Sequence, residues 1–225
     1  MRIRLTSDPM ESIRKIHKIS LMLRSGWRFS RVMSGGPNAK IIGVEPNTVL
    51  AAKAARIYAG EDTVAVKSCA VGAKDGEIEF FVTANARNTS IHAPSDSFHD
   101  DLHHDGMERT EKLPLKYLDG LLAGCDGPIL LQADVQVAEL AVLKGAGDQL
   151  DAVSVVVIES PNKRAYDGTA GFNDIYRFFT ARCFRYEGPL GQLNSKKPVA
   201  SDRRTRSMCG HSCTRLMLQH RLQIV

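Results

Sequence analysis

The sequence predicts an α/β fold built on a mostly parallel sheet with helices on both faces. Three observations carry that prediction. Apolar runs of strand length, at Lys40 to Glu45, Ile129 to Asp134 and Val153 to Glu159, alternate with segments of helical periodicity. The third run, VSVVVIE, is apolar almost throughout, which is the pattern of a strand covered on both faces. Two of the runs pass within a few residues into a helical segment, as strand–helix units of a parallel sheet require.

Taken in order, KIIGVE at 40–45 is a β-branched strand closed by an acid, and Pro46-Asn47 breaks it and offers a helix start. Leu50, Ala54, Ile57 and Tyr58 then form an apolar stripe at helical spacing, with Gly60 as the stop. Val64 to Val71 reads as one strand, and Asp75-Gly76 turns the chain into another at Glu77 to Thr83. Residues 84–111 are polar and without period, which predicts a long loop. Leu113 to Tyr117 is a further strand, and Asp119 a helix cap. Ile129 to Asp134 is the central strand, and the helix expected from about Val135 to Gly145 is apolar nearly all round, as burial against a sheet demands. After the strand at 153–159 come a helix at Phe172 to Ala181 and a short final strand at Cys183 to Tyr186.

Composition narrows the class. With 225 residues, 43% hydrophobic and 24% charged, the chain is long enough to bury a continuous core, and no run is long enough to span a bilayer as a helix. The net charge of +5 suggests nucleic acid until it is divided. Residues 1–40 hold nine basic against two acidic residues and 196–225 hold seven against one, whereas 41–195 hold 14 against 22. An acidic body with basic ends, lacking interleaved aromatics, disfavours a nucleic-acid partner. No membrane partner is expected, and the absence of a secretory pattern together with five cysteines at irregular spacing predicts a cytoplasmic protein without structural disulfides. The expected organisation is a basic N-terminal segment at 1–25, a body at 26–195 and a flexible basic tail at 196–225.

The pieces IIGVEPN (41–47), CAVGAKDGEIEFF (69–81), LKYLDGLL (115–122), DVQVAELAVLKGA (134–146) and VVVIE (155–159) occur in one order, and in that order they resemble the FkbM family of S-adenosylmethionine-dependent methyltransferases, over roughly residues 29–191. The resemblance implies a Rossmann-like methyltransferase sheet, S-adenosylmethionine as cofactor, and O-methylation of a hydroxyl on a sugar, another glycan acceptor or a small-molecule natural product. It also implies that Ala70 and Val71 border the adenine, and that Asn88 and Ser90, in Asn88-Thr89-Ser90, belong to the acceptor region.

Physical reading of the residues supports part of this. Ligands of open α/β sheets sit beyond the carboxyl ends of the strands, and a strand-end acid can accept hydrogen bonds from both ribose hydroxyls of a nucleoside. Glu45 stands in such a place; the competing reading is a solvent-facing acid beside the helix start. Asp134 can orient or deprotonate an acceptor hydroxyl, and competes with a plain helix cap. Glu139, the second candidate catalytic acid, lies on a nearly all-apolar helix and must be paired, at the site, or at an exposed edge. Glu159 is a third strand-end acid, read as an acceptor contact.

The chain departs from the family pattern at its first strand. The family carries approximately Asp-x-Gly-Ala-Asn-x-x-Gly there, and the expected positions fall around Ser20, Met22 and Arg24, leaving Gly26 as the one match and candidate cofactor contact. Glycines at such a turn let the backbone approach the ligand closely. First strand and glycine loop are therefore degenerate, and Gln132 and Val137 replace a common Lys and Gly. The alternative function is a non-catalytic remnant of the fold that has lost its cofactor loop. Two groups carry metal-ligating residue types. His92, His99, His103 and His104 mix with four aspartates at irregular spacing, and Cys209-Gly210-His211-Ser212-Cys213 lacks a second ligand pair. No metal is assigned.

Overall fold

A computed structural model describes residues 19–24, 39–83, 107–125, 128–135, 138–159, 170–189 and 215–220. Their elements are β1 (Ile19–Arg24), β2 (Lys40–Val44), α1 (Thr48–Ile57), β3 (Val64–Lys67), β4 (Ala70–Gly72), β5 (Gly76–Thr83), β6 (Met107–Tyr117), α2 (Leu118–Leu122), β7 (Ile129–Asp134), α3 (Glu139–Lys144), a 3-10 turn (Gly147–Ala152), β8 (Val153–Glu159), α4 (Phe172–Thr180), β9 (Phe184–Pro189) and β10 (Arg215–His220).

Seven strands form one sheet in the order β3-β2-β1-β7-β8-β10-β9, and every neighbouring pair in it is parallel. From β1 the chain builds outward through β2 and β3 on one side, and later through β7 and β8 on the other. The order therefore reverses at the β1–β7 junction, where an open α/β sheet leaves a crevice at its carboxyl edge. A smaller sheet, β4-β6-β5, pairs β4 parallel and β5 antiparallel to β6. The mixed α/β class and the parallel main sheet agree with the sequence expectation.

Burial explains why the central strands were readable. Ile129, Leu130 and Leu131 of β7 and Val153, Val155 and Val156 of β8 are all withdrawn from solvent, so both faces of the sheet are covered. Val142 and Leu143 of α3, Leu118 and Leu122 of α2, and Ile175 and Phe179 of α4 complete this core. Fully burying one such side chain contributes about 1.5–3 kcal/mol, so these dozen residues outweigh any single polar contact in the fold. α1 instead presents Ala51 and Ala54, whose small side chains let it lie close to β2 and β3, while Ile57 of the expected stripe is 47% exposed.

Where α3 meets the small sheet the backbones come very close. A Cβ on Gly145 would run into the carbonyl oxygen of Gly72 at the end of β4. This contact couples the two sheets through the segment that follows α3. Within the small sheet, the Asp75 carboxylate accepts from the Tyr117 amide at 3.0 Å and faces Lys116 at 3.6 Å, fixing the start of β5 against the end of β6.

Several local expectations are corrected. The run Val64 to Val71 is not one strand: β3 ends at Lys67, and β4 joins the other sheet. Exposure alternates along β3 and then gives way to continuous burial from Cys69, so the face being covered changes at Ser68. Residues 107–111, expected in a loop, open the long strand β6. Asp119 is not a cap; α2 is preceded by Tyr117, and Asp119 lies in its first turn. The helix expected from Val135 begins only at Glu139.

The expected absence of disulfides is overturned, since Cys183 is disulfide-bonded. It also adopts φ 62°, a left-handed conformation unusual for a residue with a Cβ. Cys69 is a free, buried thiol. β1 comes from the expected N-terminal segment and β10 from the expected flexible tail, and both occupy interior positions of the main sheet.

Candidate functional site

The carboxyl edge of the main sheet gathers the strand-end residues. Glu45 follows β2 directly, and its amide donates to the Lys67 carbonyl at 3.0 Å, extending the β2–β3 pairing by one residue. Pro46 then fixes φ and ends the strand. The Glu45 side chain is 0% exposed, and its Oε1 accepts from the Asn47 amide at 2.9 Å. Asn47 in turn caps α1: its Oδ1 accepts from the Val49 and Leu50 amides at 3.1 and 3.2 Å. The reading of Glu45 as a solvent-facing acid is thereby corrected, because the acid is buried and the capping is done by Asn47. An ionised carboxylate offers about four lone-pair positions. Burial in a low dielectric strengthens the hydrogen bonds that such a carboxylate accepts.

Asp134 closes β7 and is partly exposed. Its register partner on β1 is Arg24. The helix-cap reading of Asp134 is corrected by distance along the chain, since α3 starts at Glu139 and its N-cap position is Ala138, with no side-chain cap bond. Glu139 is only 3% exposed, which removes the exposed-edge reading. Its Oε1 accepts from the Val135 amide at 3.2 Å, so the acid reaches back and holds the first residue after Asp134. An acid in the first turn of a helix is also favoured by the backbone dipole. Glu139 thus braces the turn that carries Asp134.

The remaining expected residues fall elsewhere. Ala70 and Val71 are buried in β4, in register with Leu115 and Lys116 of β6. Next to them, burial pushes the Cys69 thiol above its usual value, against the lowering influence of Lys116 and Lys67. Glu159 ends β8, with His220 of β10 as its register partner. Gln132 lies in the buried part of β7. Gly26, Asn88, Ser90 and Val137 lie outside the described residues, as do the histidine-rich stretch and the CGHSC group. Among the described residues no group of three or more His, Cys, Asp or Glu side chains is placed to hold a metal ion.

Sequence reasoning missed a clasp beside the Glu45 turn. Thr48 Oγ1 donates to Glu111 Oε2 at 2.8 Å, and Arg109 Nε donates to Glu111 Oε1 at 2.7 Å. This ties the start of α1 to the β5–β6 ribbon of the small sheet. Burial pushes the Glu111 carboxyl up, but the hydrogen bonds from Thr48 and Arg109 and the Arg109 charge outweigh it and hold the carboxyl below its usual value. No signal in the sequence linked positions so far apart, although Thr48 after Asn47 marked a helix start.

Among comparisons with known proteins, the family model described as the methyltransferase FkbM domain matches residues 25–186. No curated protein and no solved structure matches the chain.

Proposed function

This chain belongs to the FkbM methyltransferase family, and we propose that it uses S-adenosylmethionine as donor and methylates a hydroxyl on a sugar or natural product. One observation carries the reading: two acids, Glu45 and Asp134, end the strands on either side of β1, at the junction where the sheet order reverses. That is where an open α/β sheet of Rossmann-like type receives a nucleotide.

The residues present fit the cofactor at its nucleoside end. Glu45 is a buried acid at the end of β2, and a strand-end carboxylate in that place can accept hydrogen bonds from ribose hydroxyls. When bound, S-adenosylmethionine supplies an electrophilic methyl group on a sulfonium. The chain's own residues have simpler tasks. Glu45 binds and orients the ribose, and Asp134 accepts the hydroxyl proton of the acceptor as a hydrogen bond, which aims the oxygen lone pair. Glu139 keeps the turn after Asp134 in place. Methyl transfer depends on in-line alignment, so positioning contributes more than proton removal by a weak carboxylate base.

A second reading has its own support. β1 reads ISLMLR and lacks the family's Asp and Gly residues, which favours a non-catalytic remnant of the fold. The acceptor class, a glycan or small-molecule partner and a cytoplasmic setting belong to this proposal. Radiolabelled S-adenosylmethionine with a panel of sugars and hydroxylated natural products tests the enzyme reading. Label transfer that falls at least tenfold in Asp134→Asn supports it. A folded chain that does not bind S-adenosylmethionine supports the remnant.

A further inference from the structure

Side chains alternate across a strand, so β7 divides into two faces. Ile129, Leu131 and Ala133 join the core built with α2, α3 and α4, which leaves Leu130, Gln132 and Asp134 on the opposite face. β8 divides in the same way: Val156 and Ile158 belong to that core, while Val155 and Val157, the register partners of Leu130 and Gln132, face the other side. In β2 it is Ile41 that meets Ala54 of α1, and Ile42 and Val44 that meet the core, so the face carrying α1 is also the one shared by Gln132 and Asp134.

Gln132 is the one polar side chain of β7 before Asp134, and it is 8% exposed. Among the described residues nothing donates to or accepts from its side-chain amide. A carboxamide carries two N–H donors and an oxygen with two lone pairs, and burying it unpaired destabilises a fold. A leucine of similar size would escape that penalty at this place, since Leu130, Val155 and Val157 beside it are apolar and buried. The amide is therefore idle in the free chain, one pleat below Asp134 and about 6.5 Å from it along the strand.

Resting on the S-adenosylmethionine reading above, we infer that Gln132 is a substrate-binding residue whose amide holds the hydroxyl next to the one that Asp134 orients, so that the acceptor is an uncharged vicinal diol such as a sugar ring presents. A hydroxyl both donates and accepts, as the amide does. An ionised group at this depth finds only apolar neighbours on β7 and β8 and stays poorly solvated. The Gln132 side chain is one methylene longer than that of Asp134, which lets the two polar ends converge on neighbouring oxygens.

The experiment compares the full chain with Gln132→Leu in thermal melts, in calorimetric titration with S-adenosylmethionine, and in label transfer from that donor to the methyl glycosides of glucose, mannose, galactose and rhamnose. Gln132→Leu melts at the same temperature or up to about 4 °C higher, because no partner of the amide is lost and a buried polar group is removed. Its affinity for S-adenosylmethionine stays within about twofold. With a glycoside that the unaltered chain methylates, KM rises about tenfold in Gln132→Leu and kcat stays within about twofold, as for loss of a contact made equally in ground and transition states. The deoxy glycoside lacking a hydroxyl adjacent to the methylated one raises KM by a similar factor in the unaltered chain and leaves it unchanged in Gln132→Leu, since the two removals delete one contact.

A lower Tm in Gln132→Leu overturns the inference by giving the amide a structural task. Weakened S-adenosylmethionine binding in that variant overturns it by making Gln132 a cofactor contact. Deoxy and mutant effects that simply add, or no transfer to any of the four glycosides by a chain that binds S-adenosylmethionine, overturn it and leave the cofactor reading standing. A folded chain that does not bind S-adenosylmethionine overturns both.

Discussion

Replacing Glu45 separates its structural work from its proposed ligand work, because glutamine and alanine remove different parts of the same group. In the fold, Glu45 is fully buried and its Oε1 accepts from the Asn47 amide at 2.9 Å. Gln keeps the side-chain volume and an oxygen for that amide but loses the charge. Ala leaves the buried amide without its acceptor, at a cost of about 1–3 kcal/mol, and opens a small cavity besides. At this chain length about 2 kcal/mol corresponds to a fall of roughly 4–8 °C in Tm, so Glu45→Ala melts lower by that amount while Glu45→Gln changes little.

Ligand binding follows a different order. A hydrogen bond to a charged acceptor contributes about 1.5–3 kcal/mol, and two ribose hydroxyls share this carboxylate in the proposed complex. Losing the charge weakens S-adenosylmethionine about tenfold in Glu45→Gln, and losing both contacts weakens it about a hundredfold or more in Glu45→Ala. Differential scanning calorimetry and isothermal titration read the two quantities separately. Glu45→Gln with unchanged Tm and unchanged affinity would refute the ribose role and leave Glu45 as a turn residue only.

Glu139→Ala exposes the Val135 amide to faster hydrogen exchange, read by mass spectrometry of the peptide spanning 129–138, whereas Glu139→Gln retains an acceptor and most of the protection. Gly145→Ala places a methyl group against the Gly72 carbonyl, and overpacking of this kind costs about 1–3 kcal/mol in urea unfolding. The lowered Glu111 carboxyl predicts a stability contribution that is present above the usual glutamate value and lost as pH falls through the folded-state value. The stability difference between the unaltered chain and Glu111→Gln, measured by urea unfolding from neutral to acid pH, therefore shrinks towards zero as the medium is acidified. A difference that grows on acidification contradicts the assigned direction.

The parts of the fold that were legible in the sequence are those whose local pattern and tertiary setting agree. β7 and β8 are apolar on both faces and buried on both faces. The Glu45–Asn47 turn was legible because Pro and Asn break a strand and start a helix by mechanisms that act within a few residues. β1 and β10 were not, because ISLMLR and RLMLQH are short apolar runs within basic ends and become strands by pairing with β2, β7, β8 and β9. Non-local pairing of that kind leaves little trace in local propensity. At the site, Asp134 and Glu45 were placed correctly at strand ends. The burial of Glu139 was not foreseen, since an acid that folds back to a preceding amide looks in sequence like any acid on a helix edge.

The account turns on whether the carboxyl edge around Glu45 and Asp134 receives the cofactor. Isothermal titration of S-adenosylmethionine into the full chain tests this most directly. One saturable site, weakened about a hundredfold by Glu45→Ala, is the predicted result. A folded chain that gives no saturable binding, or a site indifferent to Glu45→Ala, contradicts it.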